Sequence, residues 1–168
     1  LNPDMQKIDD NLINVFYESA KELNDNFGAL GPRFENVSEK SHKQSNINEK
    51  YGQIDSISGS AMFFCTKIFD KNEGFDENFF MYGEDIDISH RSLKLGLTNF
   101  YLSETKVIHF KGESTPKNKA YEKRFFNAMS YYYNKNFSHN WLLNSVFMLG
   151  SLLFSKFKRI MSSRRDVT

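Results

Sequence analysis

The sequence predicts an α/β fold, and three observations carry that prediction. Apolar residues recur at three- and four-residue steps in three separate stretches. Short apolar runs bounded by turn residues lie between and around them, and no internal repeat organises the chain. A length of 168 residues suits one domain with a substantial core. Hydrophobic residues at 39% and charged residues at 26% are the proportions of a globular chain. Aromatic residues reach 15%, most of them Phe and Tyr, which reads first as a core built from Phe where Leu is more usual.

In chain order, Asp9 to Leu23 reads as an amphipathic helix. Leu12, Val15, Phe16, Ala20 and Leu23 form its stripe, and Asp9 or Asp10 is placed to cap its start. Phe27 to Pro32 reads as a short buried strand ended by Gly31-Pro32. Glu35 to Lys50 is polar and reads as a surface loop. Ile54 to Phe64 has a strand pattern with small residues at Ser58, Gly59, Ser60 and Ala61, where another group could approach the backbone closely. Thr66 to Asp70 suits a short helix, and Glu73 to Asn78 is turn chemistry. A helix from near Asp85 to Leu95 stops at Gly96, with Asp87 and Arg91 one turn apart. Asn99 to Leu102 and Lys106 to Phe110 read as two strands, and Tyr121 to Phe137 as a helix.

Trp141 to Phe154 is nearly all apolar, and Lys156, Lys158, Arg159, Arg164 and Arg165 follow it. That run is shorter than the roughly 20 residues a bilayer-spanning helix needs. It suits an interfacial helix with a basic anchor or a helix docked on a missing part of the protein. The expected division is therefore 1–137 as a folded domain and 138–168 as a helical tail. A net charge of +1 gives no electrostatic reason to expect a nucleic-acid partner. Cys65 is alone, which excludes an intrachain disulfide and fits a reducing compartment. The expected location is cytoplasmic, with the tail as a peripheral membrane contact.

Three groups sit where turns meet regular elements. Asp4 follows Asn2-Pro3, and such a turn is by itself only a turn. Glu84-Asp85 opens a helix behind an aromatic run. Taken alone the pair reads as a helix cap before it reads as a base, although a carboxylate there could take a proton from a hydroxyl. His109 ends an apolar strand ahead of Lys111, Gly112, Ser114 and Thr115, a loop of the kind that meets phosphate. One His, one Asp and phosphate oxygens would suit a hard divalent ion such as Mg2+ or Mn2+.

The order of Leu1-Asn2-Pro3-Asp4, Gly59-Ser60-Ala61-Met62, the run from Gly74 to Ile88, and Val107 to Thr115 resembles glycosyltransferase family 2, in particular its bacterial rhamnosyltransferase-like branch. The resemblance extends from Leu1 to about Phe137. It implies the C-terminal part of a GT-A, Rossmann-like domain, a mixed sheet flanked by helices. It also implies residue roles. Asn2-Pro3-Asp4 stands for the Asp-x-Asp motif that binds metal and sugar diphosphate, with Asn in place of the first Asp. Asp4 and His109 would be the metal ligands, and Asn2, Asp4, Lys111 and Ser114 would meet the donor diphosphate. Asp85 would be the catalytic base, with Glu84 beside it, and Gly59 and Tyr82 would lie on the acceptor side.

The implied reaction is inverting transfer of a sugar from a nucleotide-diphosphate donor to a saccharide or lipid-linked acceptor. In such enzymes the nucleotide is bound mainly by a βαβ half ahead of the Asp-x-Asp motif. This chain is accordingly expected to be a fragment that lacks a strong nucleotide pocket and exposes an apolar face. The alternative is a degenerate domain that binds a glycan or a partner without turnover.

Overall fold

A computed structural model describes residues 5–7, 11–35, 49–109 and 118–137, together with 145, 149 and 150. The elements in order are β1 (Met5–Lys7), α1 (Leu12–Glu22), β2 (Leu30–Glu35), β3 (Tyr51–Gln53), α2 (Thr66–Lys71), α3 (Glu84–Lys94), β4 (Phe100–His109) and α4 (Lys119–Phe137). They fall into two compact units. The first is Leu1–Asn78 with Glu84–Lys117, and the second is Phe79–Gly83 with Asn118–Thr168.

In the first unit β4 is the spine of a four-stranded mixed sheet. β2 runs parallel to it along one edge. Two short antiparallel strands share the other edge, β3 at Phe100–Leu102 and β1 at Val107–His109. The expected mixed sheet flanked by helices is therefore what the chain forms, an architecture compatible with part of a Rossmann-like glycosyltransferase domain. Alternation along the strands sorts the two faces. Leu30, Leu102 and Val107 cluster with Leu12, Phe16, Ala20 and Phe27 into a buried core against α1. Gly31 and Tyr101, the alternate pair, lie on the opposite face.

The helices follow the sequence pattern closely. α1 buries Leu12, Phe16, Ser19 and Ala20, the expected stripe with one serine added. Its N-cap is Asn11, not Asp9 or Asp10, and no side-chain hydrogen bond caps it. α3 ends as predicted at Gly96, whose φ of 78° allows Leu97 N–H to reach the Ser92 carbonyl at 3.1 Å.

The strands depart from expectation in three places. Gly31-Pro32 does not end a strand but lies inside β2. Proline offers no N–H to the ladder, and the β2–β4 register shifts directly after it, so the defect is absorbed where it occurs. The segment from Ile54 to Phe64 is an irregular loop and not a strand, apart from an isolated bridge between Leu30 and Phe63. The two strands expected at Asn99–Leu102 and Lys106–Phe110 are one strand, β4. Its irregular middle is closed locally by a hydrogen bond from the buried Thr105 hydroxyl to the Leu102 carbonyl at 3.0 Å.

The second unit contains α4, in which Ala128 is buried, and the turn 79–83. Phe79 packs edge-on to Tyr131 with ring centroids 4.8 Å apart. No helix among the described residues is long and apolar enough to cross a membrane. Most of the expected tail helix lies outside the described residues.

Candidate active site

The first turn of α3 carries Glu84, Asp85 and Asp87. Three acids at a helix N-terminus are favoured there by the helix dipole and by backbone N–H groups that have no carbonyl partner within the helix. Asp85 uses that setting. Its Oδ1 accepts the N–H of Ile86 at 2.8 Å, and its Oδ2 accepts the N–H of Gly59 at 2.8 Å. The carboxylate is thus fixed by two backbone donors, one from its neighbour in the helix and one from a loop residue 26 positions before Asp85.

Gly59 explains why that approach is possible. A Cβ built on it would lie 3.2 Å from Asp85 Cβ, so close that the Asp85 side chain would have to give by a few tenths of an ångström. The small residues noted in the sequence at this point therefore make room for the Asp85 side chain. The loop is held in place by its own turn, in which Ala61 N–H meets the Ser58 carbonyl at 3.2 Å.

A polar stripe on α3 completes the attachment. Asp85, Ser89 and Ser92 recur at helical spacing on one face. Ser89 Oγ accepts the N–H of Ile57 at 3.2 Å, and Ser92 Oγ accepts from the Asn72 amide at 2.8 Å. Asn99, fully buried, joins three segments: its Oδ1 accepts Ala29 N–H, and its amide donates to the carbonyls of Asp55 and Ser89. Ser89, Ser92 and Asn99 position the site, and sequence reasoning did not single them out. Their one advance signal is the four- and seven-residue spacing of Ser89 and Ser92 from Asp85.

Asp87 does not face the same task. It is completely buried and pairs with Arg91 at 2.8 Å, as the one-turn spacing predicts. Arg91 also donates to the Gly74 carbonyl at 2.7 Å, so this pair ties α3 to the turn that follows α2. Glu84 is partly buried, with its Oε2 enclosed and, among the described residues, without a hydrogen-bond partner. Burial pushes its carboxyl above the ordinary glutamate range. The adjacent Asp85 charge adds to that effect, and a backbone hydrogen bond opposes it.

The remaining predicted residues stand as follows. His109 ends β4 directly opposite Met5 of β1. The residue after Asp4 and the residue proposed as the second metal ligand are thus neighbours on adjacent strands. Asn2, Asp4, Lys111 and Ser114, and the side chain of His109, lie outside the described residues. Among the described residues no group of three or more His, Cys, Asp or Glu could hold a metal.

Tyr82 belongs to the second unit, where its ring meets Tyr121 at 5.3 Å and Phe125 at 6.3 Å. Its φ of 72° is a left-handed conformation, which costs a bulky residue about 1–3 kcal/mol and recurs at functional sites.

Comparison with known proteins points to one class, the sugar transferases. Two curated proteins, both N-acetylglucosaminyl-diphospho-decaprenol L-rhamnosyltransferases, are similar to the chain. One is from Mycobacterium tuberculosis strain CDC 1551 / Oshkosh and the other from strain ATCC 25618 / H37Rv, each 32% identical over 79 residues. The match covers 47% of this chain and 26% of the length of those relatives. No family model matches the chain, and no solved structure matches it.

Proposed function

We propose that this chain is the catalytic part of an inverting, metal-assisted glycosyltransferase that moves a sugar from a nucleotide-diphosphate donor to a lipid-linked glycan, with Asp85 as general base. The observation that carries the proposal is the Asp85 carboxylate, held by the Gly59 and Ile86 N–H groups at the start of α3. A base fixed in this way does not have to be reoriented during reaction, and each oxygen retains lone-pair capacity for a proton. The similarity to rhamnosyltransferases supports the reaction class and suggests the acceptor class, a sugar carried on a lipid diphosphate.

In this reading Asp85 takes the proton from an acceptor hydroxyl as that oxygen bonds to the anomeric carbon. The bond from that carbon to the diphosphate breaks, its electron pair leaves with the diphosphate, and a single displacement inverts the configuration. Asn2, Asp4, Lys111 and Ser114 would surround the diphosphate, and Asp4 and His109 would hold a divalent ion. The pairing of Met5 with His109 fits that ligand set. When bound, Mg2+ or Mn2+ would supply neutralisation of the departing charge.

Asn2 in place of an acidic residue favours a second reading, a glycan- or partner-binding domain without turnover. Manganese titration of the chain and of His109→Ala separates the two. Loss of manganese affinity in the variant supports an assembled metal site, and equal affinity in both proteins counts against it.

A further inference from the structure

The two units differ sharply in charge. Among the described residues the second holds four Lys and Arg (Lys119, Lys123, Arg124 and Lys135) but one acid, Glu122, although the whole chain carries a net charge of only +1. The same unit shows apolar side chains to solvent. Phe80 is 83% exposed, and Met81 and Phe125 are 37% and 38% exposed. The Arg124 guanidinium lies 5.8 Å from the centre of the Phe80 ring, so cation and apolar ring occupy one patch. Lys119 and Lys123 are also exposed on the first turns of α4.

A large ring on a tight turn beside arginine and lysine has the composition of a surface that enters the boundary between lipid headgroups and acyl chains. A second copy of this unit is a poor occupant, because the excess of like charge would repel it. We propose that the Phe80–Met81 turn and the first turns of α4 dock this unit on an anionic lipid bilayer. Phe80 and Met81 enter the acyl boundary, and Lys123 and Arg124 meet the lipid phosphates. The inference complements a lipid-linked acceptor and so rests in part on the function proposed above. Its test reads no sugar transfer, so either claim can fail without the other.

The test is flotation of the full chain with vesicles of phosphatidylglycerol and phosphatidylcholine, compared with phosphatidylcholine alone, for the unaltered chain, Phe80→Ser and Arg124→Gln. Both residues are exposed, so both variants should fold. The unaltered chain is expected to partition onto the anionic vesicles and far less onto neutral ones. Phe80→Ser should lower partitioning about tenfold or more, and Arg124→Gln about fivefold, with the arginine effect shrinking in high salt. Equal partitioning of Phe80→Ser and the unaltered chain would overturn the proposal, because residues 141–168 would then account for binding. So would equal flotation on neutral and anionic vesicles, no flotation at all, or a Phe80→Ser effect confined to self-association without lipid.

Discussion

Replacing Arg91 with Met removes the cation from a carboxylate that has no exposure to water. The Asp87 side chain is 0% exposed and that of Arg91 18%, and their atoms meet at 2.8 Å. Removing one partner of a buried ion pair costs about 3–5 kcal/mol, because the other charge loses its main counterion. The Gly74 carbonyl loses its guanidinium donor as well, for about 1 kcal/mol more. Water can reach the partly exposed arginine position and return some of that loss, so the expected net destabilisation is about 3 kcal/mol. Urea denaturation followed by circular dichroism measures it, as a fall in midpoint of about 1 M or more at slopes usual for small domains. The double variant Asp87→Asn, Arg91→Met should recover part of the loss, since no buried charge then remains. Lys21→Met, at an exposed pair with Glu18, is the control and should leave the midpoint unchanged. An Arg91→Met midpoint no lower than that of the control would refute the buried-charge argument.

Two further predictions concern the site itself. Burial and the Asp85 charge raise the Glu84 carboxyl, so the folded chain holds that proton more tightly than the unfolded chain does. The Glu84 contribution is then most favourable in acid and is lost as pH rises from about 4.5, the ordinary glutamate value, through the raised folded value. Glu84→Gln should therefore melt higher than the unaltered chain at pH 7, with the difference closing below about pH 4.5. A pH-independent difference in melting temperature would remove that explanation. Gly59→Ala places a methyl 3.2 Å from Asp85 Cβ, although the Gly59 backbone is not left-handed and accepts alanine. With Asp85 as the base, a shift of a few tenths of an ångström in its carboxylate should lower kcat by several-fold to about tenfold with little change in stability. Unaltered kcat would show that the Gly59 contact does not set the base's position.

The helices were legible because their apolar residues repeat at 3.6-residue spacing and their ends carry turn residues, as at Gly96. The Asp87–Arg91 pair was legible for the same reason. The strands were less so, because each departure is a tertiary effect. Gly31-Pro32 reads locally as a stop, yet β2 continues because the ladder shifts register immediately beyond it. Ser103-Glu104-Thr105 reads as a break between strands, yet Thr105 turns its hydroxyl onto Leu102 and the strand continues. The small residues from Ser58 to Ala61 look like a strand packed closely, whereas they form a loop shaped around Asp85. Asp85 could be singled out in advance by its place among ordered motifs. Asn99 could not, because nothing in its neighbourhood announces that its amide joins Ala29, Asp55 and Ser89.

The most direct test is transfer of labelled sugar from a nucleotide-diphosphate donor to a lipid-diphosphate-linked acceptor, comparing the unaltered protein with its Asp85→Asn variant. The first donor to assay is the nucleotide-linked rhamnose suggested by the similar proteins. The substitution puts an amide donor against one of the two backbone N–H groups that Asp85 now accepts, so circular dichroism must show the fold retained. With Asp85 as the base, transfer should fall by at least about a hundredfold while donor binding persists. Turnover by a folded Asp85→Asn protein at the unaltered rate would contradict the assignment.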